Sequence, residues 1–183
     1  MQPEIRLEPL DQRHLDDVGR LVADPEVLHH TRIPEPPPDG FAQTWIAGYE
    51  TGRGDGTREG FAALAGPGEF VGLGLAPHIE AADGEVELGY IVMAAARGRG
   101  VASEILRLLT AWAFGVLGAT RAYLIIDVEN GASERVAERC GYQREGVMRS
   151  IHLKQGRRID AGLWSRLASD PDPLASDPDP LAA

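Results

Sequence analysis

The stretch Glu85–Val116, EVELGYIVMAAARGRGVASEILRLLTAWAFGV, decides the fold. Its first eight residues alternate: Val86, Leu88, Tyr90 and Val92 share one side, and Glu85, Glu87, Gly89 and Ile91 the other. That period-two split predicts a half-buried strand. From Ile105 the period lengthens, with Ile105, Leu108, Leu109, Trp112, Ala113 and Val116 on one helical face. This predicts a long helix packed on apolar neighbours. Between the two lies Arg97-Gly98-Arg99-Gly100-Val101-Ala102-Ser103. The first N–H groups of a helix have no partner inside it and carry the positive end of its dipole. Gly98 and Gly100 let the chain turn sharply and a ligand approach the backbone, while Arg97 and Arg99 add positive charge. Such a turn suits an anion of diphosphate size. The competing reading is a strand-to-helix turn whose glycines serve geometry alone, with two solvated arginines.

Other phosphate loops fit less well. The chain has no G-x-x-x-x-G-K-[ST] motif. A dinucleotide fingerprint would want glycine or alanine where Ser103 stands, and an acidic residue about 20 residues further on.

Composition narrows the class. The 183 residues are 43% hydrophobic, enough for one domain with an ample core,. Cys140 is the single cysteine, so neither a disulfide framework nor a cysteine metal cluster is expected,. His14, His29, His30 and His78 are not paired with a carboxylate at ligand spacing on a convincing helix, so no metal is expected either,. No charged segment followed by an apolar one opens the chain, and no apolar run approaches a membrane span, which predicts a cytoplasmic protein. The net charge of -10 argues against nucleic acid as a direct partner and mildly favours a cationic substrate,.

Around the central stretch, Ile5–Leu10 reads as a strand and Asp11 as the cap of a helix through Leu15, Val18 and Val22,. Pro25–His30 is a further short helical turn, and Phe41–Tyr49 a helix followed by a glycine-containing loop over Thr51–Glu59,. Phe61–Leu64 and Phe70–Pro77 form a hairpin,. Arg121–Val128 is nearly all apolar, as expected of a central strand covered on both faces. Ser133–Cys140 reads as a short helix ended by Gly141, and Gln143–Leu153 and Arg158–Trp164 as a last hairpin,. Leu167–Pro173, LASDPDP, is repeated over Leu174–Pro180. Its proline density predicts a domain over residues 1–167 and a disordered or lightly docked tail over 168–183.

The turn also resembles the acyl-CoA site of the GNAT acetyltransferase superfamily, whose signature Gln/Arg-x-x-Gly-x-Gly/Ala is here Arg97-x-x-Gly100-x-Ala102. The resemblance spans about residues 3 to 166. It sharpens at Glu87–Tyr90, Ala96–Gly100, Trp112–Phe114, Asn130-x-x-Ser133, Val136–Tyr142 and Arg144–Val147, which together look like the RimJ/RimL-type branch of ribosomal-protein N-terminal acetyltransferases.

The resemblance implies an α/β fold with a mixed, mostly antiparallel sheet of six to seven strands, flanked by helices and splayed between the fourth and fifth. It implies acetyl-CoA as acyl donor, with the backbone of Arg97, Gly98, Arg99, Gly100, Val101, Ala102 and Ser103 on the diphosphate. Ile91, Val92 and Met93 would pair with the pantetheine arm, which Asn130 would also bond. Ser133 is implied as the acid for the departing thiolate, beside the plain reading of a helix-start serine. Glu87 is the candidate base for the amine, against the plain reading of a solvated strand glutamate. His30, Arg32 and Tyr90 are candidate acceptor contacts. The expected acceptor is a primary amine, either a peptide N-terminus or a small molecule, and a homodimer is compatible with the sequence. The competing function is a catalytically silent acyl-CoA-binding or interaction module.

Overall fold

The structure, a computed structural model, describes residues 4–173. Strand β1 (Ile5–Pro9) leads through a 3-10 turn at Gln12–His14 into α1 (Leu15–Val22). Asp11 caps that turn, its carboxylate accepting from the Arg13 N–H at 2.9 Å,. Asp24 caps α2 (Pro25–His30) in the same way through the Glu26 N–H, also at 2.9 Å. Pro25 sits in the first turn, where its missing N–H has no helical partner to lose,.

The third helix, α3 (Phe41–Asp55), runs six residues past its expected end at Tyr49 and stops at Gly56, in the left-handed conformation at φ 71°. Packing overrides the glycine signal. Tyr49 and Gly52 are buried, and a Cβ at Gly52 would lie 2.6 Å from that of Arg58. Arg53 then ties the helix to β2 (Glu59–Ala65), donating to the Glu59 carboxylate at 2.7 Å and to the Gly60 carbonyl at 3.0 Å.

The remaining elements are β3 (Glu69–Glu80), β4 (Glu85–Val92), α4 (Val101–Gly115), β5 (Arg121–Asp127), α5 (Gly131–Arg139), β6 (Gln143–Lys154) and β7 (Arg157–Leu167). The seven strands form one sheet in the order β1-β2-β3-β4-β5-β7-β6. Neighbours β4 and β5 run parallel, the other pairs antiparallel.

Two apolar clusters sandwich the sheet. Val86, Leu88 and Val92 of β4 pack with Ile105, Leu106 and Leu109 of α4 on one face. Ile91 joins Leu73 and Leu75 against α1, α2 and α3 on the other. Val116 does not belong to the buried face of α4: it lies one residue past the helix and is 79% exposed. Nor is β5 covered on both sides. Ala122, Leu124 and Ile126 are buried while Tyr123, Ile125 and Asp127 are half-open, so its apolar run hides an alternation.

The first LASDPDP copy is docked. The Ala168 N–H donates to the Thr120 carbonyl at 2.9 Å, Arg166 reaches the Asp172 carboxylate at 3.7 Å, and Pro173 lies over Gly141. The expectation for the second copy, Leu174–Pro180, falls outside the described residues.

Candidate active site

The ladder between β4 and β5 is short. It joins Glu85 to Arg121, Val86 to Ala122 and Glu87 to Tyr123, and stops there. Beyond Glu87 the two strands part, as a strand splay between the fourth and fifth requires. The gap opens into a cavity of about 660 Å3 whose walls include Tyr90, Val92, Gly100, Ile125, Asn130 and Ser133. Its volume, and walls that mix apolar side chains with charged and hydrogen-bonding ones, suit a polar small molecule or cofactor,.

One open strand edge faces this cavity. The Met93 N–H donates to the Val71 carbonyl on β3 at 2.9 Å. Because backbone groups alternate sides along a strand, Ile91 also faces β3, where it pairs with Leu73. Of the three residues expected to pair with a ligand arm, Val92 alone turns its backbone toward the gap. Its carbonyl accepts from Arg97 Nε at 3.2 Å, and by the same alternation its N–H points to the gap side.

The turn before α4 has the expected geometry, with Gly98 and Gly100 at φ 72° and 81°. Gly100 stands at the helix cap without a side-chain partner for the first N–H groups, and Gly98, Gly100, Val101, Ala102 and Ser103 all line the cavity. The arginines behave differently. Arg97 pairs with Asp24 and Glu26, each at 2.6 Å, so its charge is matched by α2 rather than left for an anion. Arg99 is exposed, and its guanidinium reaches back to the Ala95 carbonyl at 3.4 Å. Positive charge enters instead from α5: Arg135 and Arg139, one turn apart, line the opposite wall,. Arg139 donates to Ser103 Oγ at 3.3 Å, bridging α5 to the turn. The i, i+4 spacing of these arginines after Asn130 is a signal readable in the sequence.

At the start of α5 the Asn130 side-chain oxygen Oδ1 accepts from the Ser133 N–H at 3.0 Å, a helix cap that leaves the side-chain NH2 available,. The Tyr90 hydroxyl donates to the Ser133 backbone carbonyl at 3.3 Å. This moves Tyr90 from the acceptor side, where it was expected, to the α5 wall, because β4 side chains alternate between faces. Burial pushes its phenol up to about 12, so it stays protonated. Cys140 is buried under α4, its thiol pushed up to about 11 by burial, and is no nucleophile at neutral pH,.

The other face of β4 carries a separate polar group. Glu87 is 15% exposed at its side chain and pairs with Arg32 at 3.3 Å. Burial raises its carboxyl pKa, against the pull of Arg32 and His78. It flanks the cavity rather than lining it. His30, at the end of α2, does line it, with Nδ1 buried and unbonded among the described residues. Burial, then His29, lowers the His30 pKa, favouring the neutral ring. Among the described residues no three His, Cys, Asp or Glu side chains cluster as a metal site, and no helix is long and apolar enough to cross a membrane.

A mixed sheet splayed at its parallel pair, with a glycine turn and helix start at the mouth of the gap, is the architecture that the sequence resemblance implies. The acetyltransferase (GNAT) domain family matches residues 4–143, and this chain belongs to that family. Similar proteins include the uncharacterized N-acetyltransferase YoaA of Bacillus subtilis (strain 168), 30% identical over 79 residues, 43% of this chain and 45% of that one. The uncharacterized N-acetyltransferase p20 of Bacillus licheniformis is 30% identical over 89 residues, 49% of this chain and 50% of that one. The chain thus spans about half the length of the curated relatives it matches. Among solved structures, RimL, a ribosomal L7/L12 alpha-N-protein acetyltransferase in complex with coenzyme A, superposes with TM-score 0.81 at 21% identity, over 89% of this chain and 93% of that one. Spermidine N-acetyltransferase from Vibrio cholerae, in complex with CoA and spermine, superposes with TM-score 0.79 at 20% identity, over 89% and 95%. At these identities the likeness is one of fold.

Proposed function

We propose that the chain is an acetyl-CoA-dependent N-acetyltransferase, moving the acyl group to a primary amine by direct attack in a ternary complex. The carrying observation is the parted β4–β5 edge, toward which strand alternation turns the Val92 N–H, beside a helix start flanked by glycines,. The site fits an acyl-CoA. The first N–H groups of α4 suit a diphosphate, Arg135 and Arg139 suit further phosphate charge, and the open strand edge and the Asn130 amide suit the pantetheine amides. The family name and the CoA in the solved relatives support the same reading.

When bound, acetyl-CoA supplies an activated thioester carbonyl. The protein then has three tasks: to donate to the oxyanion, to take a proton from the ammonium and to stabilise the departing thiolate. The Val92 N–H faces the gap and is assigned to the oxyanion. Glu87, whose raised pKa brings it nearer the working range of a base, accepts the amine proton directly or through water,. Ser133 Oγ is assigned to the thiolate, and the Tyr90 hydroxyl, whose single O–H is given to the Ser133 carbonyl at 3.3 Å, becomes a second donor only by turning from it,. Asn130 and the Gly98–Ser103 backbone hold the cofactor, while His30 and Arg32 face the acceptor.

The test is thiol release from acetyl-CoA over a panel of amines and N-terminal peptides. Saturable, amine-dependent release with N-acetylated product supports the reading. CoA binding with no release for any acceptor would instead make the chain a silent acyl-CoA-binding module.

A further inference from the structure

The cavity passes through the sheet between the parted strands. Leu124 and Ile126 wall it on the face covered by α4, and His30, Ile125 and Asp127 on the face of α2. Charge is divided in the same way. Arg135 and Arg139 stand on the α5 wall, and Arg97 is matched by Asp24 and Glu26. The α2 side has no such cation on its wall. Arg32 is paired with Glu87 at 3.3 Å and does not line the cavity. Lys154 acts on Asp127 through space but forms no ion pair with it among the described residues, and it too is off the wall.

What the α2 side offers a ligand is one carboxylate. Asp127 ends β5 on the half-open face of that strand. Its Oδ1 accepts from the Glu129 N–H at 2.9 Å, while its Oδ2 has no partner among the described residues. Unlike His30 Nδ1, that oxygen is not sealed in the interior, so it is open where Asp127 forms the wall. An ionised carboxylate accepts hydrogen bonds and donates none, and it therefore selects a cation. The neighbouring His30 ring is favoured in its neutral form by burial and adds no opposing charge.

The reaction sets a second condition. The attacking nitrogen must be neutral, so a simple amine gives up its attraction to Asp127 when it loses its proton. An acceptor with a second, non-reacting cation keeps that ion pair throughout. The acceptor face has a carboxylate for each end. Glu87 stands at the fork, opposite Tyr123 where the ladder stops, and Asp127 at the open end of β5.

We propose that the acceptor is a small primary amine carrying a second cationic group, which Asp127 Oδ2 holds while the other nitrogen reacts. The proposal rests on the transferase reading above and narrows the acceptor to a dication. In the transfer the C–N bond forms and the C–S bond breaks. One ammonium proton leaves by Glu87 before attack, and a second passes to the departing sulfur by way of Ser133. Asp127 sets specificity and exchanges no proton.

The experiment compares matched acceptors of equal chain length: an α,ω-diaminoalkane, the n-alkylamine and the ω-amino acid, over chains of two to six carbons, with short peptides as a further set. Thiol release from acetyl-CoA should favour one diamine over its matched monoamine by about tenfold or more in kcat/KM, with the amino acid poorest of the three. Asp127→Asn keeps an oxygen for the Glu129 N–H and removes the charge. It should raise KM for that diamine about tenfold more than for the monoamine, with kcat little changed. Preference for the monoamine, the amino acid or a peptide overturns the proposal. An equal effect of Asp127→Asn on all acceptors overturns it as well, as does no effect, which would mean that Lys154 already offsets the carboxylate. If no acceptor releases thiol, the transferase reading fails, and the subsite is judged by calorimetry of the same diamines with the CoA-loaded protein. Binding that Asp127→Asn abolishes then supports the subsite, and no binding overturns it.

Discussion

The guanidinium of Arg97 lies 2.6 Å from the carboxylate of Asp24, 73 residues earlier in the chain. The first residue of the glycine signature is therefore a clamp between the turn and α2. With Arg97 28% and Asp24 17% exposed at the side chain, the pair is sheltered enough to contribute,. Arg97→Met and Asp24→Asn should each lower the melting temperature, and their double-mutant cycle should return a coupling of about 1–2 kcal/mol, within the range for contacting charged groups. Independent effects, with CoA affinity lost only in Arg97→Met, would mean that Arg97 serves the cofactor directly.

Binding of CoA should depend on the turn backbone more than on its side chains. Gly100 holds a left-handed conformation at φ 81° and lines the cavity. Valine there is strained by its branched Cβ and also fills space beside the helix start. Gly100→Val should therefore abolish CoA binding by calorimetry while retaining helical circular dichroism. The Arg99 side chain is exposed, and Arg99→Ala should cost about 1 kcal/mol or less,. Tight binding by Gly100→Val would sink the backbone assignment.

Docking of the first tail repeat separates the two copies experimentally. A chain ending at Pro173 should melt like the whole protein. A chain ending at Leu167 also loses the contacts of Arg166 with Pro171 and Asp172 and the cover over Gly141. A cost of about 1 kcal/mol would lower the melting temperature by roughly 2–4 °C in a chain of this size. Equal melting of all three chains would show the docked copy to be neutral.

What the sequence made legible was local. The change of period across Arg97–Ser103 identified strand, turn and helix because each has its own repeat, and Gly98 and Gly100 do adopt the left-handed conformation the turn required. What it hid was set by tertiary packing, whether the partner is distant in the chain or just past a turn. Nothing near Arg97 announces Asp24, and nothing near Gly52 announces that Arg58 packs on it and lets α3 continue. Ile125 misled for a functional reason: it is apolar because it walls the cavity, not because a helix covers it. Tyr90 was expected to face the acceptor, and only the meeting of β4 with α5 puts its hydroxyl beside Ser133.

The Glu87 carboxyl pKa is raised by burial, so in the folded protein it holds its proton more tightly than in the unfolded chain. The contribution of such a group to stability is complete below the unfolded pKa and is lost as pH rises through the folded one. Glu87→Gln keeps a neutral side chain at every pH. Its melting temperature should therefore improve relative to the parent as pH rises from about 4 to about 7. In the proposed reaction the same variant should lose about 100-fold in turnover, with the deficit greatest at low pH, where free amine is scarce. A melting difference independent of pH would mean that Arg32 fully offsets the burial of Glu87.

Ser133 and Tyr90 stand on one wall, joined through the Ser133 carbonyl at 3.3 Å, and both reach the cavity. If the Tyr90 O–H turns from the Ser133 carbonyl to the departing thiolate, each hydroxyl can partly replace the other,. A thiol of pKa about 8.5 also leaves tolerably as the anion, so a single missing donor should matter little. A phenol pushed up to about 12 acts by donating a hydrogen bond rather than by releasing its proton, and it should add no ionisation to the pH–rate profile,. Ser133→Ala and Tyr90→Phe should each reduce kcat about tenfold or less, whereas the double variant should lose more than the product of the two. Single-turnover thiol release measures the chemical step, and CoA calorimetry on the same proteins separates it from binding. A double variant no slower than Ser133→Ala would reduce Tyr90 to a brace for the start of α5. In that case the Tyr90→Phe protein should show only a modest loss of stability, about 1 kcal/mol for the missing hydrogen bond.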